Sequence, residues 1–266
     1  MSITWRARWR SAYPPDRTAK QPMADSGTIP SSLLIAAIRR AIDVLVAVTG
    51  LAIAAPPSIV IALAIRLETP GPVFFSQIRL GRMGRRFVLY KFRKFRHESE
   101  TSGRMVTLKD DPRMTRVGQV LERTKLDELP QLWNVLIGDM SIVGPRPESL
   151  EFADCFIGPF RHLLDYNPGL FGPSQVAFRN EGALYPPDHD PHEFYRTVLF
   201  PDKARIDLEY FPRRTLLSDL IWVLRSIAAV LSPPKLPVQG ISTALRVPGD
   251  RSIRRRSMAA NQADKV

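Results

Sequence analysis

The sequence has a single cysteine, Cys155, among its 266 residues. One cysteine cannot form an internal disulfide, so nothing in the chain indicates an oxidising compartment. The sequence also lacks a Gly-x-Gly-x-x-Gly motif and a Gly-x-x-x-x-Gly-Lys-Ser/Thr motif. These absences argue against dinucleotide binding and against ATP chemistry on a phosphate-binding loop.

Acidic residues are few: Asp and Glu total 26 against 38 Lys and Arg, a net charge of +12. Such an excess suits nucleic acid, an anionic membrane surface or a phosphorylated substrate. Glycine is also scarce, with 15 residues against 24 prolines, which indicates many breaks between short elements. The length and the hydrophobic content of 44% suffice for one domain with a core, plus appendages.

The two ends of the chain lack hydrophobic periodicity. Residues 1–30 contain no apolar stretch or cleavage pattern typical of a signal peptide, so we predict a disordered basic tail. Residues 233–266 contain three consecutive arginines at 254–256 in a polar setting and are predicted to form a second basic tail. Attraction of either tail to acidic lipid headgroups stays open as an alternative to plain solvation.

One long segment, residues 44–65, carries no charge. A helix of that length measures about 33 Å, enough to cross a bilayer. Pro56 and Pro57 lie inside it, and each removes a helical hydrogen bond, which predicts a sharp bend. Basic residues lie on both sides, which favours the cytoplasmic side for both ends. We therefore predict a Pro-broken re-entrant membrane hairpin over residues 31–66, with a true span and a buried soluble helix as alternatives.

Aromatic and β-branched residues dominate VFFSQIRL and RRFVLYKF, which are separated by GRMG. This pattern predicts a β-hairpin. The second strand leads into a row of basic residues, interpreted either as a solvated strand edge or as a cationic wall facing phosphate: Lys91, Arg93, Lys94 and Arg96. Interleaved phenylalanines also suit single-stranded nucleic acid, but no nucleic-acid-binding motif accompanies them, and we predict no nucleic-acid partner.

Two adjacent carboxylates, Asp127 and Glu128, open the apolar run LDELPQLWNV. A short amphipathic helix through Val117 and Leu121 precedes them, and apolar residues follow at helical spacing. Asp127 therefore suits a helix N-cap. The cap explains neither Glu128 nor the basic residues crowded upstream, so a nucleophile is the alternative. In GPRP, prolines flank Arg146 and predict a rigid turn that can present its guanidinium to phosphate.

Several stretches resemble the bacterial sugar transferase family, the monotopic phosphoglycosyl transferases that act on polyprenol phosphate. They are YKFR at 90–93, DDPRMTRVGQVLERT at 110–124, LDELPQLWNVLIGDMSIVGPRPE at 126–148, NPGLFGPSQV at 167–176 and KARIDLEYF at 203–211. With the Pro-broken segment, the resemblance covers roughly residues 35–230. No large multi-span N-terminal domain is evident, so the compact form of the family is expected.

The resemblance implies transfer of a sugar-1-phosphate from a UDP-sugar to polyprenol phosphate, with undecaprenyl phosphate as the expected acceptor and UMP as the product. This is the first membrane step of exopolysaccharide assembly. Asp127 takes the role of the nucleophile that carries a phosphosugar intermediate, Glu128 assists it, and both lie beside Mg²⁺ as its ligands. The residues implied to contact substrate phosphates are Lys91, Arg123, Arg146 and Arg179.

The implied fold class is α+β and helix-dominated: the membrane helix hairpin (31–66), then a helical catalytic domain with a small β-hairpin (67–232). The implied location is the bacterial cytoplasmic membrane, with membrane lipid as a partner and the catalytic domain facing the cytoplasm. Oligomerisation stays open. The usual family pattern PGITGWAQVNG differs at Pro173 and at Ala177-Phe178, which leaves the sugar undetermined. The alternative is a non-catalytic, membrane-anchored basic protein.

Overall fold

The structure, a computed structural model, describes residues 31–96 and 111–232. The predictions of basic tails at 1–30 and 233–266 fall outside these residues. The chain divides into two compact units, residues 1–37 and 38–266. The described part of the first unit is the start of a long helix, and the other elements discussed below belong to the second unit. The predicted domain boundaries at 66 and 232 stay predictions.

Helices dominate the described residues, as the sequence predicted. The α-helices are α1 (Ser31–Glu68), α2 (Arg116–Thr124), α3 (Gln131–Ile137), α4 (Pro173–Ala177), α5 (Pro191–Phe194), α6 (Phe200–Tyr210) and α7 (Leu216–Leu231). The strands are β1 (Phe74–Leu80), β2 (Arg86–Phe92), β3 (Ser141–Val143) and β4 (Gly169–Phe171). Short 3₁₀ turns and one π-helical turn (Tyr195–Leu199) connect several of these elements.

Helix α1 is 38 residues long and contains Pro56 and Pro57. The helix continues through both prolines, so the predicted division into two helices is not confirmed. The helix is long enough and apolar enough to cross a membrane. Only 11% of its most apolar stretch is buried against the rest of the protein. Large side chains such as Ile53, at 71% exposure, face outward. This exposure disagrees with the alternative of a helix buried in a soluble core and indicates membrane association.

Polar side chains near the start of α1 hold it against later elements. The Arg40 guanidinium donates to the carbonyls of Val135 and Leu136 at 2.6 and 2.7 Å, which satisfies carbonyls at the C-terminal end of α3. The Asp43 carboxylate accepts from the Ile142 amide at 2.9 Å. Arg40 belongs to the basic flank that precedes the uncharged segment, and it therefore also caps a helix.

The predicted β-hairpin is confirmed. Strands β1 and β2 pair antiparallel from Phe74 opposite Phe92 to Leu80 opposite Arg86. Alternate residues of β2, including Phe87 and Leu89, are buried. They join a core that contains Ala47 of α1 and Val135 of α3, with Met140, Ile142, Val143 and Phe211. A smaller cluster combines Ile65, Phe92 and Leu121, so α1 contributes to both.

Strands β3 and β4 pair in parallel, with Ser141 opposite Gly169 and Val143 opposite Phe171. Gly144 and Gly169 are in close backbone contact: a Cβ atom added to Gly169 would lie 2.0 Å from the Gly144 nitrogen. Only glycine fits at this approach. The contact fixes the start of the GPRP turn, because the Gly169 amide also donates to the Pro145 carbonyl at 2.8 Å.

Helix α7 buries polar residues and exposes large apolar ones. Asp219 and Ser226 are buried, and the Asp219 carboxylate binds Arg39 and Tyr210 at 3.2 and 2.6 Å. The large apolar residues are exposed instead: Leu216, Leu217, Leu220, Ile221, Leu224, Ile227 and Leu231. A helix that exposes an apolar face of this size suits a lipid surface better than a soluble core.

Asp207 of α6 is buried and holds the start of α4. Its carboxylate accepts from the Ser174 amide at 3.2 Å and from the Ser174 hydroxyl at 2.8 Å. Burial raises the pKa of Asp207 to about 7, although the Ser174 hydrogen bonds partly oppose this shift. The folded protein therefore keeps this proton to a higher pH than the unfolded chain does.

Replacing Arg40 by Met should lower the free energy of unfolding by about 2 kcal/mol, because two carbonyls lose a charged donor. Denaturant unfolding of the detergent-solubilised chain measures the change. Arg82→Met, at an exposed position in the β-hairpin turn, is the matched control and should have little effect. Equal losses in both variants would contradict the capping role of Arg40.

Replacing Asp207 by Asn should change how stability depends on pH. Between about pH 4 and 8 the unfolded chain binds fewer protons at this carboxyl than the folded protein does. The contribution of Asp207 to stability therefore falls as pH rises through this range and is constant above about pH 8. The unfolding free energy of Asp207→Asn minus that of wild type should rise by about 3 kcal/mol between pH 4.5 and 7.5. Denaturant unfolding at pH 4.5, 6 and 7.5 measures it, and a difference independent of pH would contradict the expectation.

Candidate active site

The adjacent carboxylates lie in a 3₁₀ turn, Leu126–Glu128, between α2 and α3. Lys125 precedes the turn in the left-handed conformation, at φ 58°, and ends α2. Leu126 and Leu129 pack on the small apolar cluster, which fixes the turn. The N-cap prediction for Asp127 is wrong, because Pro130 occupies the cap position of α3 and makes no side-chain cap.

Asp127 is almost completely buried, at 1% exposure. Its Oδ2 atom lies 3.3 Å from Lys94 Nζ. Within the described residues, its Oδ1 atom is buried without a hydrogen-bond partner. Burial alone would lower the pKa of Lys94, but Asp127, Glu122 and Glu128 outweigh burial and raise it. Lys94 therefore stays charged and covers the Asp127 carboxylate.

Glu128 has two cationic neighbours. Its Oε1 atom lies 2.8 Å from Lys91 Nζ and 3.7 Å from Arg146 Nη2. Burial alone would raise the pKa of Glu128, but Lys91, Arg146 and Lys125 together hold it well below its usual range. Conversely, burial lowers the pKa of Lys91 to about 8, although Glu128 and Asp127 partly oppose this shift.

A buried asparagine aligns the strand that carries Lys91 with the helix that follows Glu128. Asn134 of α3 accepts from the Tyr90 amide at 3.2 Å and donates to the Val88 carbonyl at 2.7 Å. Both partners belong to β2. The lysine and the carboxylate are thus brought together by a backbone tether as well as by their charges. No sequence pattern predicted this role for Asn134.

Arg146 follows β3 in the GPRP turn, and its side chain is 37% exposed. Burial would lower the pKa of its guanidinium, but Glu128, Glu181 and Glu148 raise it. Among the described residues, the Arg146 guanidinium has no hydrogen-bond partner; its closest carboxylate oxygen is that of Glu128 at 3.7 Å. Its donors are therefore available to a ligand.

The other two predicted phosphate contacts lie differently. The Arg179 guanidinium donates to the carbonyls of Val230, Ser232 and Arg123 at 3.0, 3.1 and 3.3 Å. It thus holds the C-terminal end of α7 next to α2, and burial lowers its pKa. The side chain of Arg123 is exposed and does not line the cleft described next.

A cleft of about 230 Å³ brings most of these residues together. Its charged lining consists of Arg79, Lys91, Lys94, Glu122, Lys125, Glu128, Arg146, Glu148, Arg179, Glu181 and Lys203. Asp127 does not line the cleft, whereas its partner Lys94 does. Phe178, one of the positions at which the sequence departs from the usual family pattern, also contributes to the wall.

One group in the lining of the cleft was not predicted from the sequence: Glu148, Glu181, Tyr195 and Lys203. Glu148 and Lys203 both lie within stretches quoted for the family resemblance, which is the signal that could have identified them. Their proximity was not predictable from spacing, because Lys203 Nζ and Glu148 Oε1, 3.5 Å apart, are separated by 55 residues in sequence.

The carboxylate pair is the candidate magnesium site. No cluster of three or more His, Cys, Asp or Glu side chains suited to a metal occurs in residues 31–96 and 111–232. Mg²⁺ often takes only one or two carboxylates and completes its shell with water and substrate phosphates. The unpartnered Oδ1 atom of Asp127 and the neighbouring Glu128 carboxylate fit that donor set.

The arrangement suits an anionic, phosphorylated ligand. Lysines and arginines around the cleft can neutralise phosphoryl oxygens, which would otherwise repel an attacking carboxylate. The same cations keep Glu128 ionised.

The chain is similar to known proteins over most of its length. The sequence model of the family described as bacterial sugar transferase matches residues 34–233. Exopolysaccharide production protein PSS of Rhizobium leguminosarum bv. phaseoli is 47% identical over 209 residues, which are 74% of this chain and 97% of that protein. The UDP-glucose:undecaprenyl-phosphate glucose-1-phosphate transferase of Caulobacter vibrioides is 35% identical over 198 residues, 73% of this chain and 70% of that protein.

A third relative matches this chain over only part of its own length. The UDP-N-acetylgalactosamine-undecaprenyl-phosphate N-acetylgalactosaminephosphotransferase of Aeromonas hydrophila is 36% identical over 211 residues, 77% of this chain. The match spans about half of that protein, 46% of its length. The family match covers both the carboxylate pair and the GPRP turn. The chain belongs to the bacterial sugar transferase family.

Proposed function

We propose that this chain is a phosphoglycosyl transferase that moves a sugar-1-phosphate from a UDP-sugar to undecaprenyl phosphate and releases UMP. The observation that carries the proposal is the pair of adjacent carboxylates, Asp127 and Glu128, paired with Lys94, Lys91 and Arg146 beside an open cleft. The names of the Caulobacter and Aeromonas relatives describe the same class of reaction. The name of the Rhizobium relative supports a place in exopolysaccharide assembly.

In the proposed mechanism, an Asp127 carboxylate oxygen attacks the β-phosphorus of the UDP-sugar. The new oxygen–phosphorus bond forms as the bond to UMP breaks, which leaves the sugar phosphate on Asp127. A phosphate oxygen of undecaprenyl phosphate then attacks the same phosphorus, and the Asp127 carboxylate leaves. Two displacements with a covalent intermediate suit substrates that reach one site from water and from lipid.

The cations have separate roles in this proposal. Lys91 and Arg146 neutralise phosphoryl oxygens and the departing nucleotide, and Glu128 assists through its contacts with both. Lys94 must move from Asp127 before attack, because the carboxylate is buried beneath it. Asp127 and Glu128 would hold Mg²⁺, which supplies further neutralisation of the phosphoryl group.

Not all the predicted substrate contacts receive equal support. Arg179 donates to three carbonyls and would contact a phosphate only by releasing some of them. Arg123 would have to turn toward the cleft. We therefore retain both as predicted contacts that depend on a change on binding, whereas Lys91 and Arg146 already lie beside Glu128.

We further propose that α1 enters one leaflet of the bacterial cytoplasmic membrane as a re-entrant hairpin bent at Pro56 and Pro57. The exposed apolar face of α7 would lie at the same headgroup region. This arrangement would bring the cleft to the level at which a polyprenol phosphate presents its charge. The catalytic domain would then face the cytoplasm, where UDP-sugars are available.

Replacing Asp127 by Asn should abolish the phosphosugar adduct and lower UMP release by on the order of a thousandfold or more, as expected for loss of a nucleophile. UMP release from a panel of UDP-sugars with undecaprenyl phosphate, together with intact-protein mass, measures both effects. Glu128→Gln should retain a slower adduct. The exposed Asp154→Asn is the matched control and should behave as wild type. Normal turnover by Asp127→Asn would exclude this nucleophile.

A cysteine-labelling experiment tests the re-entrant hairpin. In a Cys155→Ser background, single cysteines at Pro30 and at the exposed Leu67 should both react with an impermeant maleimide in inside-out membrane vesicles. Neither should react in right-side-out vesicles until these are permeabilised. Opposite behaviour of the two positions would indicate a true span and overturn the hairpin.

A further inference from the structure

A buried lysine sits among acidic and phenolic groups behind the cleft. Lys203 Nζ lies 3.0 Å from Glu181 Oε2, 2.8 Å from the Tyr195 hydroxyl and 3.5 Å from Glu148 Oε1. The Lys203 side chain is only 5% exposed. The proposed mechanism gives these residues no role, although all four line the cleft.

The charges in this group do not cancel. One ammonium group faces two carboxylates, and a buried charge is stable only when it is paired. Burial alone would raise the pKa of Glu181, but Lys203 and then Arg146 outweigh it and lower the pKa. Glu181 also accepts from the Tyr185 hydroxyl at 2.9 Å. Its carboxylate is therefore ionised and bound mainly by Lys203 and Tyr185.

Arg146 lies within the electric field of the same carboxylates. Glu181 and Glu148 both favour its charged form, yet neither receives a hydrogen bond from its guanidinium among the described contacts. Arg79 also lies within the field of Glu148 and donates to the Pro147 carbonyl at 3.2 Å. Without Lys203, Arg146 would be the cation available to neutralise Glu181.

We propose that Lys203 is a positioning residue for Arg146: by holding Glu148 and Glu181, it leaves the Arg146 guanidinium available to a phosphate group of the substrate. The inference rests on the proposed function only for the identity of that ligand. Its physical content is a competition, because a guanidinium paired with a buried carboxylate must give up that pair before it can bind a phosphate.

Binding of UDP and of inorganic pyrophosphate to the full-length chain tests the proposal without turnover. In Lys203→Met, which removes the charge and retains a side chain of similar length, Arg146 should pair with Glu181 and both ligands should bind about tenfold more weakly. In Lys203→Met/Glu181→Gln, the competing carboxylate is neutral, and binding should return to within about threefold of wild type. Lys203→Arg should also retain binding.

A merely structural role for Lys203 predicts a different pattern. The double variant would then bind no better than Lys203→Met, because removing a second member of the network adds damage. The single variant Glu181→Gln separates the two roles even if Lys203→Met fails to fold: we expect binding equal to or tighter than wild type, whereas a structural role predicts weaker binding. Arg205→Met, at an exposed site on the same helix, controls for the change in net charge.

The result that overturns the proposal is unchanged binding in Lys203→Met, no recovery in the double variant, or weaker binding in Glu181→Gln. Absence of UDP and pyrophosphate binding in wild type would also overturn it, because Arg146 would then have no phosphate ligand. Failure of the proposed function appears separately: the wild type would bind these ligands but form neither UMP nor a phosphosugar adduct with any UDP-sugar.

Discussion

The site depends on the pairing of two neighbouring carboxylates with cations from distant parts of the chain. Asp127 and Glu128 are adjacent in one turn, and their cationic partners come from other segments: Lys91 and Lys94 from the end of the β-hairpin and Arg146 from the GPRP turn. Lys91 and Lys94 are also largely buried, so in these pairs each sign of charge stabilises the other. Much of the surrounding architecture serves to bring these groups together, including the Asn134 tether and the close approach of Gly144 and Gly169.

The residues around the cleft and the residues of α1 and α7 differ in which side chains they bury. Around the cleft, charged groups are buried in networks, whereas α1 and α7 expose most of their large apolar side chains. In water alone this distribution would be unfavourable, because exposed apolar area weakens folding and promotes association. With lipid as a second solvent the distribution is favourable, because the apolar faces could contact the bilayer while the charged cleft stays accessible from water.

Local sequence patterns predicted the local elements well. The alternation in VFFSQIRL and RRFVLYKF identified the β-hairpin, and the apolar spacing around Leu121 identified α2. The same reasoning failed where a long-range contact decides the outcome. Asp127 has the composition of a helix cap, but the packing of Leu126 and Leu129 forms a separate turn before α3. Resemblance to the family identified the carboxylate pair and two of its cations, whereas the surroundings of Lys203 depend on contacts across 22 and 55 residues that no spacing rule supplies.

Arg40 and Asp43 attach α1 to α3 and β3 by hydrogen bonds. These hydrogen bonds, together with Ala47 in the main core, join this section of α1 to the helix that directly follows the carboxylate turn. If α1 enters the bilayer as proposed, its depth would set the height of the carboxylate turn above the acyl chains. Bilayer thickness would then shift that height as a unit and would influence how easily a lipid-borne phosphate reaches the cleft.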